Sequence, residues 1–335
     1  MINRLAFIFS ILIFSSFVSC NSSSFDVDVS KINLNVKIQR LEKDLFSIDP
    51  DSLQYKIPVL AQKYDDFFDL YTTSIISIGR INEITFLEYL KKFLVDYNMY
   101  KDYQAVVKLY PNLSELEEKL ELAFRHYKYY FPEKNTPKVF TGISGFNHSI
   151  ATDSLNLGIF LDKYLGQKHE FYKLLGTPEY MRKRMNPENI VPDCMTAIAQ
   201  RDFEFKDSLN NLLSNVIQQG KLIYYTKSMI PTLPDTLLFC YTKKQLKWAE
   251  AYENKVWKYI IEKKQLFSTN RLDISKYIND APFTTFFANN SAPRAGVFVG
   301  YKIVKKYMDK TEATLPELMM EKDCQMILQK SAYNP

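Results

Sequence analysis

The sequence predicts an α+β fold that is predominantly α-helical with a small sheet, and three observations carry that prediction. Glycine is scarce, at 9 of 335 residues, while runs rich in Leu, Lys, Glu and Tyr supply helix formers and aromatic bulk. Apolar residues recur at helical spacing over most of the chain. Between residues 138 and 161 the pattern shortens to Val, Ile, Phe and Thr runs bounded by turn residues, as in short strands. The length suits one large body, expected over residues 34–335, because no linker marks a split near residue 135. The formal charge of +5 is spread along the chain. No basic cluster interleaved with aromatics forms a groove for phosphates, which argues against a nucleic-acid partner.

The N-terminus reads as an export signal. Arg4 precedes the apolar run Leu5–Val18, which has the length of a signal-peptide core and is short for a membrane span. The run ends Phe17-Val18-Ser19-Cys20. A small residue followed by cysteine at this point resembles the bacterial lipobox, although Phe17 stands where leucine is usual. The resemblance implies a signal peptide over residues 1–19, cleavage before Cys20, and acyl chains such as palmitate on Cys20. The plainer alternatives are an ordinary signal peptide with a chance cysteine, or an uncleaved anchor, and the placement of Cys20 outweighs both. Residues 20–33, opening with Asn21-Ser-Ser-Ser24, read as a polar tether. Several acyl chains hold a protein on a membrane far more firmly than one. The absence of an acidic cluster after Cys20 favours a periplasm-facing lipoprotein by resemblance to sorting signals, and leaves inner against outer membrane open.

Along the body, Asn35–Leu41 alternates as a strand, and a helix is expected from Asp49 through Leu70. Asp65, Asp66 and Asp69 read as a solvated helix face, since no calcium-loop glycine accompanies them. Helices are expected over Ile84–Tyr97 and Leu113–Phe131, the second with a capping box at Ser114 and Glu117. Strands follow over Lys138–Ile143, Ser149–Asp153 and Leu157–Leu161, with a turn at Asp153-Ser154. Pro192 in the first turn opens a helix over Asn189–Phe203. Helices are then expected over Ser208–Tyr225, Thr242–Leu266 and Leu315–Ser331. Before the last of these, Pro293 is placed to begin a helix capped by Asn290 or Ser291. Val297, Tyr301, Val304 and Met308 recur on one face of it. Gly296 and Gly300 lie one turn apart and each costs a helix about 1 kcal/mol relative to alanine, so they mark close backbone approach.

Chemical signatures are sparse. The three histidines, His126, His148 and His169, form no HExxH or HxxxH pair. His148, at a strand start, is the strongest candidate base or ligand of the three, against the simpler reading of a structural residue. Cys194, Cys240 and Cys324 contain no CxxC pair; one disulfide or three buried thiols both fit. No GxSxG or phosphate loop occurs. Glu250 and Glu253 share a charged helix face, as a solvated surface would. Phe283, Phe286 and Phe287 read as a packed corner, with an aromatic binding cleft for envelope glycans or lipids as the alternative. Arg294 at a helix start opposes the helix dipole and calls for an acidic partner elsewhere.

Several segments together resemble the gliding motility lipoprotein GldB family of the Bacteroidetes. They are the lipobox, Val139–Ile143, Met185–Ile190 with Pro192-Asp193, Asp280-Ala-Pro-Phe283, Ala292-Pro-Arg-Ala-Gly296 with Gly300-Tyr301, and the terminal Ser331–Pro335. The resemblance covers essentially the whole chain. It implies a membrane-anchored lipoprotein with partners in the gliding or type IX secretion machinery. The block around Pro293, Arg294, Gly296 and Gly300 is also similar to the tail of a predicted zinc-dependent protease family of zincin-like fold. By that resemblance Asp193 and Ala197 stand where zinc-binding histidines would be, and Cys194 where the catalytic glutamate would be. The fold implied is zincin-like but degenerate: a pseudoprotease, with no metal or cofactor expected and a scaffolding or binding role. A divergent metal-dependent hydrolase or peptidase using His148, Asp193 or Cys194 is the alternative.

Overall fold

The computed structural model describes residues 25–205 and 210–335. Cys20, the leader and the expected helix start at Ser208 lie outside them. The first strand, β1 (Ile38–Arg40), is shorter than the alternation suggests, because Leu41 buries itself in the helix α1 (Leu41–Phe46). The single helix expected from Asp49 to Leu70 is two, α2 (Leu53–Tyr64) and α3 (Asp66–Leu70), continued by a π-turn at Tyr71–Ile75. Asp65 breaks it with φ of 52°, and Asp65, Asp66 and Asp69 are exposed as expected. After α4 (Phe86–Val95) comes α5 (Tyr97–Leu109), which the sequence did not announce. Only Asp102 and Val106 of α5 are buried, so its apolar stripe is thin; its signal is Asp96, which accepts from the amides of Asn98 and Met99. In α6 (Ser114–Tyr130) the expected capping box is not formed. The Glu117 carboxylate instead accepts from the amide of Ile38 and the Nζ of Lys37, tying α6 to the strand edge.

The sheet follows as β2 (Lys138–Gly142), β3 (Ile150–Thr152) and β4 (Asn156–Phe160). Its order is β1-β2-β4-β3, parallel except for the β3–β4 hairpin. Asp153 makes the hairpin turn by accepting from the amides of Leu155 and Asn156. Side chains alternate across the strands. Phe140 and Phe160 face a core built by the N-terminal helices, where Phe67 stacks on Phe140 at 4.3 Å. Val139, Leu157 and Ile159 face a larger core shared with the C-terminal helices. Glu42, fully buried, joins the layers: it accepts from Thr141 Oγ1 and Arg40 Nε, both at 2.7 Å, while Arg40 Nη1 donates to the carbonyl of Tyr110.

The C-terminal half comprises α7 (Glu170–Leu174), α8 (Glu179–Arg182), α9 (Ile190–Asp202), α10 (Leu212–Met229), α11 (Asp235–Leu238), α12 (Lys243–Glu262), α13 (Arg271–Ile278), α14 (Ala295–Lys310), α15 (Leu315–Met320) and α16 (Cys324–Ser331). The single closing helix expected over Leu315–Ser331 is therefore split into α15 and α16. Among the described residues no helix is long and apolar enough to cross a membrane. Phe286 stacks on Tyr277 and Phe287 packs on Trp248 and Tyr259, so these two rings form a packed corner.

The glycine pair predicted to mark close approach does so. α10 and α14 cross in backbone contact. A Cβ on Gly300 would lie 1.9 Å from the carbonyl oxygen of Val216, and one on Gly220 would lie 2.3 Å from the carbonyl of Gly300. A Cβ on Gly296 would meet Tyr277 at 2.8 Å. The cap of α14 differs from expectation: its first amide, on Ala295, donates to Thr284 Oγ1 at 3.0 Å, eleven residues upstream. Asn290 is exposed, and Ser291 turns its Oγ toward the amide of Thr284.

Gly300→Ala or Gly220→Ala should therefore lower stability by about 3 kcal/mol, because backbone rather than a yielding side chain blocks the methyl group. Gly176→Ala is the contrast. Its φ is +69° but nothing lies within 4 Å, so about 1 kcal/mol of backbone strain is expected. Denaturant midpoints of the three variants read the difference; equal losses would refute the close-contact account.

Candidate functional site

The first turns of α9 face a polar cleft of about 520 Å³. Its walls come from α9, the loop before β3, the α8 region, α10, the end of α11 and the residue preceding α14. Asp193 and Ala197, one helical turn apart on α9, both line it, and His148 stands exposed at its edge. Cys194 does not: it is fully buried in the main core, where desolvation pushes its thiol well above the ordinary range.

The cleft is organised by two ion pairs. Arg184 donates to Asp193 Oδ1 through Nε at 2.8 Å and approaches it with Nη2 at 2.7 Å. The other carboxylate oxygen of Asp193 accepts from Tyr164 at 2.9 Å. Arg294 is the second cation. Its backbone is left-handed, with φ of 51°, which turns its side chain back over the start of α14. There Nε lies 3.3 Å from Asp280 and Nη2 donates to the carbonyl of Phe239 at 2.7 Å. The acidic partner that Arg294 called for is thus Asp280. Cys240 sits among these groups, with φ of 55° and partial exposure. Burial raises its thiol pKa more than Arg184 and Arg294 lower it.

A zinc ion, which the alternative of a metal-dependent hydrolase would need, does not fit these residues. Asp193 already satisfies both oxygens, Ala197 has no donor atom, and Cys194 points into the core. Among the described residues no three His, Cys, Asp or Glu side chains converge as metal ligands. Of the other histidines, His126 is held by its Nδ1 against the carbonyl of Leu122, and His169 packs on Phe171 and Tyr172. Glu253 accepts from Tyr333 and pairs with Lys302, a role in holding the C-terminus. Pro293 gives its carbonyl to Tyr241, while Gly296 and Gly300 serve the helix crossing.

Sequence reasoning missed Arg184, Asp280, Lys163 and Cys240 as cleft residues. The unmet acidic partner of Arg294 was the one available signal. Buried carboxyls support the cleft from behind. Asp162 accepts from the amides of Ser144 and Phe146 and so fixes the loop that carries Asn147 and His148. Burial still raises its pKa to about 6. Beside it Asp102 is fully buried and neither oxygen has a hydrogen-bond partner. Burial, then the Asp162 charge, lifts Asp102 to about 8.

A second, larger cavity of about 1300 Å³ adjoins the cleft, and Pro192 and Leu237 line both. It lies between residues 26–30, α6, the start of α9 and the segment 229–237. Phe25 and Val29 are buried, so the segment expected as tether packs onto the body from residue 25.

Together these features define a predominantly helical α+β domain with a charge-paired cleft beside an apolar cavity. The family described as gliding motility protein GldB matches residues 22–335, and the chain belongs to that family of gliding motility lipoproteins. No curated protein and no solved structure matches the chain.

The buried acids generate a pH prediction. A carboxyl with a raised folded-state pKa stays protonated when folded but ionises when unfolded, so stability falls as pH rises through that interval. For Asp102 the interval runs from 3.8 to about 8, and for Asp162 it ends near 6. Asp102→Asn should raise the thermal midpoint at pH 8 and flatten its fall between pH 6 and 8. A wild-type slope retained in the variant would show that Asp102 does not titrate there.

Proposed function

We propose that this protein is a lipid-anchored, non-catalytic component of the gliding motility apparatus, held at the periplasmic face of a membrane through Cys20. It acts by binding other envelope components, motility or type IX secretion proteins among them, with the cleft beside α9 as the working surface. The observation that carries the non-catalytic reading is the state of α9. One position aligned with a zinc ligand in the resemblance is an aspartate consumed by Arg184 and Tyr164, and the other is an alanine. An enzyme would need an activated nucleophile or a metal-bound water at such a site. The cleft offers paired charges instead, which recognise polar partners by exchanging ion-pair partners. Family membership supports the motility assignment, and the cysteine after the leader supports the anchor.

Cys20→Ser should move the protein from the membrane to the soluble envelope fraction and abolish gliding. An Arg184→Ala, Arg294→Ala double variant should keep membrane level and helical circular dichroism but lose gliding and pull-down of motility or secretion components. Full-length protein purified from membranes should carry no stoichiometric zinc. Stoichiometric zinc that disappears in Asp193→Ala would instead establish the metal-dependent hydrolase.

A further inference from the structure

We propose that the large apolar cavity binds a fatty-acyl chain of a membrane phospholipid; the proposal rests on reading Cys20 as the lipid attachment site. At about 1300 Å³ the cavity exceeds the roughly 300–1,000 Å³ of ordinary small-molecule pockets. Leu113, Leu116, Ile190, Val191, Met229 and Leu233 line it. So do Pro111, Pro187, Pro192, Pro231 and Pro234. Proline has no backbone N–H, so a wall rich in it can be covered by hydrocarbon with fewer donors left unpaired. A peptide strand laid here would find few amides to bond.

Position selects the hydrocarbon. Residues 26–30 form part of the wall, and Phe25 is buried with its ring 4.8 Å from that of Tyr224. Phe25 lies five positions after Cys20, a reach of at most about 18 Å. An acylated Cys20 therefore keeps the cavity at the bilayer surface, where phospholipid chains outnumber other apolar ligands. Passing from bilayer to cavity exchanges one apolar surrounding for another, so occupancy is decided by close contact with the wall. The charged side chains of the lining are Asp26, Asp28, Glu115 and Glu188 with Lys119 and Arg125, and the two cations already pair with Glu115 and Glu121. The surplus carboxylates at Asp26, Asp28 and Glu188 suit the ammonium of a phosphoethanolamine headgroup.

The test reconstitutes the full-length lipidated protein into phosphatidylethanolamine vesicles. A minor fraction of the phosphatidylethanolamine carries a diazirine on its acyl chain, and adducts are mapped by mass spectrometry after illumination. Phospholipid adducts are expected on peptides from residues 109–126, 187–192 and 229–237. Leu122 lines the cavity yet is 48% exposed, so a charge there leaves folding intact. Leu122→Glu should reduce the cavity adducts by about tenfold, because an acyl chain seated there would strip water from the carboxylate, and should leave adducts on residues 20–24 unchanged. Adducts confined to residues 20–24 overturn the proposal, as they would if the anchor's own chain or a protein segment filled the cavity. Cavity adducts insensitive to Leu122→Glu overturn it too. The mass of the N-terminal peptide separately reports acylation of Cys20, so failure of the anchor reading is told apart from failure of the cavity to take lipid.

Discussion

The carbonyl oxygen of Val216 touches the backbone of α14 at Gly300, and much of the C-terminal half depends on that contact. Helix axes normally stand 8–10 Å apart because side chains intervene. Here glycine on both helices removes them, and each conformationally costly residue is offset by dispersion contact along the crossing. The crossing does more than fill space. It fixes where α14 begins, and so where Arg294 is presented, while Gln219, Leu222 and Thr226 of α10 form the facing wall of the cleft. Thr284 completes the arrangement by supplying the cap that Arg294, in its left-handed conformation, leaves open.

The cleft is a surface of satisfied charges. Arg184 with Asp193 and Arg294 with Asp280 leave neither guanidinium waiting for a ligand. A partner entering this cleft gains affinity only by replacing existing ion pairs, so the gain lies in specificity more than in strength. Both carboxylate oxygens of Asp193 are engaged, by Arg184 and Tyr164.

What could be read in the sequence follows the range of the forces involved. The three central strands, the glycine crossing and Pro192 in the first turn of α9 are local patterns, and they emerged in place. α5 escaped because so little of it is buried, and the helix break at Asp65 because the left-handed residue there is not a glycine. The failed capping box at Ser114 shows a long-range competitor winning: Glu117 serves β1 instead. In the cleft, Asp193, Ala197, His148 and Arg294 were each singled out and do meet. Cys194 was singled out with them, but a residue adjacent on a helix points about 100° away, here into the core. Arg184, Asp280 and Cys240 were invisible because chain spacing carries no record of which distant charges converge.

The division of the apolar interior by the sheet sets the order in which the chain can become stable. The N-terminal helices from Leu41 to Leu94 close their core only against Phe140 and Phe160. A chain made or exported from its N-terminus must therefore carry those helices, apolar faces uncovered, until the hairpin at residues 150–160 has arrived. Contacts of such long sequence separation form slowly, and exposed surface invites association in the interval. The N-terminal helices are thus the part most in need of a holding chaperone, although they line neither the cleft nor the glycine crossing.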